Sequence, residues 1–291
     1  MTKYAFITGA SSGIGYALSK SFAQRGYKVF ACSPEWELHL MDPLKGLGVT
    51  PLACDITNTE DILRVKEIIR KETGGRLDVL YNNAGIAIGG PACECKDKDV
   101  EKIFRVNVFG HIAVTREFTD FVVATKGTIV FTSSVAGRIA FPFVALYCST
   151  KAAIDHYAHV LNLELKPFGV SVVSVITGGV NTAVGDKSKD LSEDEFGLKY
   201  NVPGAPECAL EVALMARKCP IPVQPDEYAE AVVKKLVRGN PSLNLFQGGM
   251  SWILNFLGRR TPIWFQQWAI SRHFKFNTVA RNIRKRLQAR S

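Results

Sequence analysis

A glycine-rich turn directly after an apolar run limits what this 291-residue chain can fold into. The run from Tyr4 to Ile7 has the character of a buried strand, and the next segment reads Thr8-Gly-Ala-Ser-Ser-Gly-Ile-Gly15 before a helical pattern begins. Glycines at such positions permit a tight turn and let the backbone approach an anion at the start of the helix. The order of strand, glycine turn and helix predicts the first unit of a dinucleotide-binding fold, with a ligand-free glycine turn as the alternative.

The rest of the chain repeats the alternation of strand and helix. Further apolar runs predict strands over Lys28–Cys32, Val49–Ala53, Val79–Tyr81, Thr128–Phe131, Val170–Ile176 and Leu243–Phe246. Helical patterns lie near Asp61–Glu72, Val100–Val123 and Tyr147–Leu165. The alternation predicts an α/β fold, a doubly wound parallel (Rossmann) sheet with helices on both faces. We predict one catalytic domain over residues 1–248, with a substrate-covering lobe at about 183–225, and an extension over residues 249–291.

A tyrosine and a lysine four residues apart provide candidate chemistry. Tyr147 and Lys151 share one helix face, so the ammonium is expected to lower the tyrosine pKa from its usual value of about 10. Ser134 ends an apolar run, which places its hydroxyl at the carboxyl end of a strand, where doubly wound sheets bind ligands. A phenol and a hydroxyl so placed can protonate and orient a carbonyl oxygen, which favours hydride-transfer chemistry.

Together these motifs resemble those of the short-chain dehydrogenase/reductase family. The glycine turn, Asn82-Asn-Ala-Gly85, Asn107, Ser134 and Tyr147-x-x-x-Lys151 follow the family's order and approximate spacing. The resemblance implies a nicotinamide cofactor, with Tyr147 as acid and base, Lys151 lowering its pKa and binding the nicotinamide ribose, Ser134 orienting the carbonyl, and Asn107 anchoring a water in a proton relay. Ser134 is preferred to Ser133, because its offset to the tyrosine fits the family and Ser133 would face the other side of the strand.

The same resemblance implies the residues that bind the cofactor. They are Gly9, Ser11, Ser12, Gly13, Ile14, Gly15, Asp55, Asn82, Asn83, Ala84, Gly85, Tyr147, Lys151, Val180 and Thr182. Cofactor choice depends on the end of the second strand, which reads Ala31-Cys-Ser-Pro-Glu-Trp36. No acid stands at the strand end to hold a ribose 2′-hydroxyl, so we predict NADP(H), with Ser33 as a hydrogen-bonding partner and Glu35 as a repulsive charge nearby.

Four segments narrow the resemblance. Tyr81-Asn-Asn-Ala-Gly85, Val106-Asn-Val-Phe-Gly-His111, Lys126-Gly-Thr-Ile-Val-Phe-Thr132 and Ile176-Thr-Gly-Gly-Val180 are similar to those of the fungal 1-acyldihydroxyacetone-phosphate reductases. This group implies NADPH-dependent reduction of a keto group to give 1-acylglycerol 3-phosphate, in glycerolipid synthesis at the endoplasmic reticulum and lipid droplets. Lys187, Lys189 and Lys199 are candidates to hold the substrate phosphate.

Two other functions remain open. The same catalytic residues serve reductases or dehydrogenases of other apolar carbonyls, such as steroids, retinoids or 3-ketoacyl compounds. A serine hydrolase acting on acylglycerols is the second alternative, because Gly9-Ala-Ser-Ser-Gly13 also satisfies Gly-x-Ser-x-Gly on a strand-to-helix turn, with Ser11 as the nucleophile.

The seven cysteines and five histidines form no metal-like spacing, so we predict reduced thiols and no metal site. The strand that begins almost at Lys3 leaves no room for a leader before it, which places the catalytic domain on the cytosolic side in this interpretation.

The carboxyl-terminal part of the sequence concentrates positive charge and aromatic residues. Residues 231–291 hold twelve Lys or Arg and no Asp or Glu, while the net charge of the whole chain is +9. The apolar residues there are Trp252, Ile253, Leu254, Phe256, Leu257, Ile263, Trp264, Phe265, Trp268, Ile270, Phe274 and Phe276. The segment is typical of an amphipathic anchor that lies on a membrane or droplet surface, and a lid over the active site or a second subunit is the alternative. No nucleic-acid-binding module accompanies it. The family resemblance implies a homo-oligomer formed through the helices that carry Asn107 and Tyr147.

Overall fold

A parallel sheet of seven strands forms the centre of the computed structural model, which describes residues 2–182, 197–239 and 241–289. The strands are β1 Lys3–Thr8, β2 Tyr27–Ser33, β3 Val49–Ala53, β4 Val79–Asn82, β5 Thr128–Ser134, β6 Ser171–Thr177 and β7 Asn244–Gln247. Their order is β3-β2-β1-β4-β5-β6-β7, and every neighbouring pair is parallel. The order reverses at β1, so a crevice opens at the carboxyl ends of β1 and β4. The predicted doubly wound sheet is confirmed.

Helices cover both faces of this sheet. In chain order they are α1 Gly13–Ala23, α2 Asp42–Lys45, α3 Thr59–Thr73, α4 Asp97–Phe104, α5 His111–Val123, α6 Ala145–Leu165, α7 Gly197–Tyr200, α8 Ala205–Ala213, α9 Pro225–Val237, α10 Ser251–Arg260, α11 Ile263–His273 and α12 Phe276–Gln288. Helices α1 and α9 pack together on one face, and α3, α5 and α6 pack on the other.

Neighbouring strand residues supply the two cores. Because successive side chains of a strand point to opposite faces, Ile7 enters the core that contains Leu18 and Tyr228, whereas Phe6 enters the core on the other face. The ring of Phe6 lies 4.8 Å from that of Phe118 on α5, measured between centroids. Strands buried on both faces read as continuous apolar runs, which explains why these segments stand out in the sequence.

The turn between β1 and α1 accepts only glycine at two positions. Gly9 has a φ of +66°, and an added Cβ there would lie 2.5 Å from the Cα of Ala84. A Cβ on Gly15 would lie 2.1 Å from the carbonyl oxygen of Gly9. The close approach of α1 to β4 therefore depends on both glycines.

The helix predicted over Val100–Val123 is interrupted. A π-helical turn over Arg105–Gly110 separates α4 from α5. Both amide atoms of the Asn107 side chain bond to the backbone of Ile86, which ties this turn to the segment after β4. π turns occur often at functional sites, and the sequence periodicity alone does not reveal this one.

The carboxyl-terminal extension forms three helices, and part of it packs inward. Helix α12 is fixed by the Asn282 side chain, which donates to the Pro203 carbonyl at 2.8 Å, and by Arg286, which donates to the Asn201 carbonyl at 2.8 Å. Val279 is buried against the same region. No helix in the described part of the chain combines the length and the apolar character needed to cross a membrane.

Three of the apolar tail residues pack inward and do not belong to an outer surface. The Phe274 ring packs edge-on against Phe141 at 5.9 Å between centroids, and the Phe276 ring packs against Phe143 at 5.6 Å. Ile270 packs against the same buried cluster. These contacts match the lid alternative for the inner side of the tail, because aromatic side chains gain more from packing than from staying exposed.

Candidate active site

A cavity of about 1680 Å³ lies at the carboxyl ends of the strands. Small-molecule sites in proteins commonly have volumes of roughly 300–1,000 Å³, so this cavity is large enough for a dinucleotide and a second ligand. Most of the residues predicted from the sequence line it. They are Gly9, Ser11, Ser12, Gly13, Ile14, Ser33, Asp55, Asn83, Ala84, Gly85, Ser134, Tyr147, Lys151, Val180 and Thr182.

Three predicted site residues lie behind the cavity wall. Asn82 is the last residue of β4, and its side-chain amide donates to the hydroxyl of Thr115 on α5 at 3.0 Å, away from the cavity. Its assignment as a cofactor contact is therefore corrected. Gly15 serves the close packing of the turn, and Asn107 acts from behind the wall through its hydrogen bonds.

The amino terminus of α1 provides a cradle for an anion. Gly9 and Gly13 both have positive φ, and Ser12 is extended, so the backbone curves around the start of the helix. The first N–H groups of a helix have no partner within the helix and attract phosphate. Across the crevice, Asp55 is held by the N–H and hydroxyl of Thr57, at 2.9 and 2.8 Å. These residues fit a dinucleotide cofactor.

A chain of hydrogen bonds joins the ends of three strands below this cradle. The Asn83 amide donates to the carbonyls of Thr8 and Gly9, each at 3.1 Å, and its Oδ1 accepts from the Thr132 hydroxyl at 3.0 Å. The Thr8 hydroxyl accepts from the N–H groups of Asn83 and Ala84. The Lys151 ammonium donates to the Thr132 carbonyl at 2.8 Å, so this candidate catalytic lysine is fixed to the sheet.

The three candidate catalytic side chains meet at the end of β5. The Lys151 Nζ lies 5.7 Å from the centre of the Tyr147 ring. Burial raises the pKa of Tyr147 to about 12, an effect that the nearby Ser134 hydroxyl opposes, and burial lowers the pKa of Lys151 to about 8. The pKa of the phenol is thus raised, contrary to the expected depression by Lys151, and desolvation of the buried phenol is the largest cause. At neutral pH the phenol carries its proton and is ready to donate it.

Ser133 and Ser134 have different partners. The Ser133 hydroxyl faces the Lys151 carbonyl at 3.5 Å, whereas the Ser134 hydroxyl accepts from the Ala136 N–H at 3.1 Å and lies beside the phenol. This arrangement favours Ser134 as the group that orients a carbonyl oxygen.

Asn107 positions the catalytic helix. Its Nδ2 donates to the Ile86 carbonyl at 2.8 Å and to the Thr150 hydroxyl at 3.1 Å, and that hydroxyl donates to the Tyr147 carbonyl. With both amide hydrogens used and the Oδ1 accepting from the Ile86 N–H, the side chain ties the loop after β4 to α6. The water relay implied by the family resemblance stays a prediction.

Two residues near the site were not singled out by the sequence. The buried His111 donates its Nε2–H to the Ala84 carbonyl at 2.7 Å. Burial, and then the Lys151 charge, lower its pKa to about 3, so the ring is neutral and supports the cofactor wall. The sequence contained one signal for His111: it follows Asn107 by four residues, which places the two side chains on the same side of a predicted helix.

The second residue is Glu37, which lines the cavity beside Ser33 and accepts from the Ser11 hydroxyl at 2.6 Å. The sequence pointed instead to Glu35, which is exposed and lies outside the cavity wall. The Ser11 hydroxyl thus donates to a carboxylate, whereas in the Ser-His-Asp triad the serine donates to a histidine imidazole. This geometry gives the hydrolase alternative no support.

The sequence offers three lysines as candidate phosphate ligands. Lys187 and Lys189 lie outside the described residues. Lys199 is on α7 and does not line the cavity itself, but its backbone N–H donates to Glu94, which does. In the described parts of the chain, no three His, Cys, Asp or Glu side chains are grouped to hold a metal ion.

A sequence profile described as short chain dehydrogenase matches residues 3–192. The chain belongs to the short-chain dehydrogenase family. An NADPH-dependent 1-acyldihydroxyacetone phosphate reductase of Saccharomyces cerevisiae is 39% identical over 280 residues, which are 95% of this chain and 93% of that protein. A protein of the same name from Schizosaccharomyces pombe is 35% identical, covering 85% of this chain and 83% of its own length.

A solved structure has the same fold. A short-chain dehydrogenase from Streptomyces avermitilis superposes with a TM-score of 0.74 at 24% identity, covering 97% of this chain and 98% of that one. The predicted family and oxidoreductase class are confirmed. In a short-chain dehydrogenase the nicotinamide supplies or accepts the hydride. The residues of this chain hold the cofactor, orient the carbonyl and move the proton; the individual roles stay predictions.

The low pKa of Lys151 predicts a pH dependence of stability. Unfolded lysine keeps its proton to about pH 10.5, whereas the folded side chain loses it near pH 8, so the unfolded state binds more protons between these values and stability rises with pH. From about pH 7.5 to about pH 9.5 the free energy of unfolding should rise by about 2 kcal/mol more in the wild type than in Lys151→Met. Urea unfolding at both pH values measures this.

The exposed lysine at position 71 provides the control. Lys71→Met should follow the wild type at both pH values, because this side chain lies in solvent on α3. An equal change in the free energy of unfolding between the two pH values in the wild type and in Lys151→Met would contradict the assigned burial of the ammonium.

Proposed function

We propose that this dehydrogenase uses NADPH to reduce the keto group of 1-acyldihydroxyacetone phosphate to 1-acylglycerol 3-phosphate. The observation that carries the proposal is the similarity to a reductase of this name along 95% of the chain, which includes the carboxyl-terminal extension as well as the catalytic fold. The cavity supports it, because polar catalytic groups and an apolar end occur in one space. Reductases or dehydrogenases of other apolar carbonyls are the competing outcome.

In the proposed reaction the substrate carbonyl oxygen lies between Ser134 and Tyr147. The Ser134 hydroxyl donates a hydrogen bond to this oxygen, and the protonated phenol of Tyr147 transfers its proton as the carbon is reduced. The Lys151 ammonium stabilises the negative charge that develops on the oxygen and the phenol. Preorganised donors in a buried site act more strongly than donors in water, because fewer solvent dipoles screen them.

The cofactor in this proposal is NADP(H). Ser33 ends β2 at the cavity wall and offers a hydroxyl where the adenosine ribose is expected. The carboxylate of Glu37 lies at the same end, where it would repel a 2′-phosphate. We therefore expect the Ser33 hydroxyl at the end of β2 to favour NADPH binding and the Glu37 carboxylate to weaken it.

The proposal includes a membrane or lipid-droplet surface at the endoplasmic reticulum as the place of action. The outer sides of α10 and α11 carry exposed aromatic residues, among them Trp252, Trp264 and Trp268 at 64%, 67% and 57% exposure. Arg259 and Arg260 end α10 beside them. Aromatic side chains insert at the interface and arginines bind anionic headgroups, so this surface suits a lipid layer.

The central test is NADPH oxidation by the purified protein with 1-palmitoyldihydroxyacetone phosphate. We expect turnover in the wild type and a loss of about 10²- to 10⁴-fold in kcat for Tyr147→Phe, because the general acid is removed. Tyr157→Phe removes a phenol from the same helix outside the cavity wall and should retain the wild-type rate.

A panel of steroid, retinoid and 3-ketoacyl carbonyls distinguishes the alternatives. Reduction of one of these in place of the acyl phosphate would refute the proposed substrate and leave the reductase class intact. Hydrolysis of acylglycerols that vanishes in Ser11→Ala would instead support the hydrolase alternative.

Replacing Glu37 by glutamine should strengthen NADPH binding. A unit charge at about 4 Å contributes roughly 1 kcal/mol in water, so removing this one should lower the Kd of NADPH by roughly three- to tenfold. NADH should respond less, because it lacks the 2′-phosphate. Calorimetric titration without a carbonyl substrate measures both, and glutamine can still accept from Ser11.

Glu35→Gln is the matched control, because it removes an exposed charge two residues earlier, outside the cavity wall. It should change the Kd less than twofold, by our order-of-magnitude expectation for a screened surface charge. A wild type that prefers NADH and loses this preference in Glu37→Gln would contradict the proposed cofactor.

The membrane proposal predicts that the outer aromatic residues drive lipid binding. In flotation with vesicles that contain phosphatidylserine, the double variant Trp264→Ser/Trp268→Ser should bind about tenfold more weakly than the wild type, because two interfacial anchors are lost. Trp36→Ser, an equally exposed tryptophan outside the extension, is the control. Unchanged flotation of the double variant would refute the anchor. Point variants are preferable to truncation, because the extension also forms part of the cavity wall.

A further inference from the structure

The cavity extends beyond the catalytic residues to a wall made by the carboxyl-terminal helices. Met215 follows α8, Leu254 lies on α10, and Ala269, Ile270 and Phe274 lie on or directly after α11; all of them line the cavity. We infer that this end is an acyl-chain channel and that the inner side of α11 sets the chain length the enzyme accepts. The inference rests on the proposed function, which supplies a substrate with an acyl chain.

The chemistry of this wall suits a hydrocarbon chain. Phe274 is buried, and its ring packs edge-on against Phe141, which also lines the cavity. Leu254 and Ile270 pack against the same buried cluster. Glu211 and Lys218 also line the cavity but pair with each other at 2.8 Å, so their charges are matched. An apolar chain placed here loses contact with water without displacing a partner from a buried polar group.

Helix α11 separates this channel from the outer aromatic surface. Residues 269, 270, 273 and 274 line the cavity, whereas Trp264 and Trp268 are exposed. At 3.6 residues per turn the two sets fall on opposite sides of the helix. A lipid layer beside the tryptophans would therefore be separated from the channel by the thickness of one helix, about 10 Å. An acyl chain that leaves the layer would have to cross only this distance.

Contacts at both ends hold α11 in place. At its start, the Gln266 amide donates to the carbonyls of Gly258 and Thr261, at 3.1 and 2.9 Å. Beyond its end, Phe274 is buried and α12 is bonded to the segment before α8. A wall fixed in this way discriminates by size, because a bulkier side chain on its inner side has little room to move aside.

Ile270→Trp tests the inference by narrowing the channel. We would measure kcat/KM with NADPH for 1-palmitoyl- and 1-hexanoyldihydroxyacetone phosphate and compare their ratio. The palmitoyl-to-hexanoyl ratio should fall by about tenfold or more, because the longer chain meets the added ring. Arg272→Trp introduces the same ring two residues later, on the exposed and opposite side of α11, and should keep the wild-type ratio. Ala269→Leu, a smaller enlargement, replaces Ile270→Trp if that variant does not fold.

A binding measurement separates this inference from the proposed function. Fluorescence titration with cis-parinaric acid, a polyunsaturated fatty acid, needs neither cofactor nor turnover. Ile270→Trp should raise its Kd by about tenfold, and Arg272→Trp should not. If the wild type reduces neither acyl phosphate, the proposed function fails, and the titration still decides the channel: a Kd equal to the wild-type value in Ile270→Trp overturns it. An unchanged chain-length ratio in an active Ile270→Trp also overturns it.

Discussion

The hydrogen bonds of Asn83 are the interaction on which the site depends. Its side chain joins the ends of β1 and β5, accepting from the Thr132 hydroxyl and donating to the backbone of Thr8 and Gly9. The carbonyl of Thr132 in turn accepts from Lys151. A network of this kind favours one arrangement, since breaking a link leaves a half-buried polar group without its partner. The predicted cofactor cradle and the Lys151 ammonium are thereby fixed relative to each other.

Burial affects the two catalytic titrating groups in opposite directions. It disfavours the charged form of each, so the pKa of the Tyr147 phenol rises to about 12 while that of the Lys151 ammonium falls to about 8. The phenol is therefore a proton donor at neutral pH, as reduction of a carbonyl requires. The opposite reaction needs a phenolate, which is costly to form in this environment.

Most of the fold was predictable from the sequence. Strands buried on both faces appear as continuous apolar runs, and the turn between β1 and α1 is marked by its glycines. The sequence did not predict which of Asn82 and Asn83 faces the cavity. The family motif includes both residues, and only the packing of α5 decides between them. Glu37 was missed because a 3₁₀ turn after β2 brings it back to Ser11. The inward packing of Phe274 depends on Phe141, which is far away in the sequence.

Arg138, four residues after Ser134, connects the extension to the turn that follows β5. Its side chain, only 6% exposed, pairs with Asp155 on α6 and also donates to Asn244 on β7 and Asn255 on α10. A buried ion pair costs desolvation free energy, so its contribution here lies less in stability than in holding these elements in one arrangement. Gly258 on α10 packs so closely that an added Cβ would lie 3.0 Å from the Arg138 carbonyl. Because α10 also contributes to the outer aromatic surface, the position of that surface is tied directly to the turn that follows Ser134 at the end of β5.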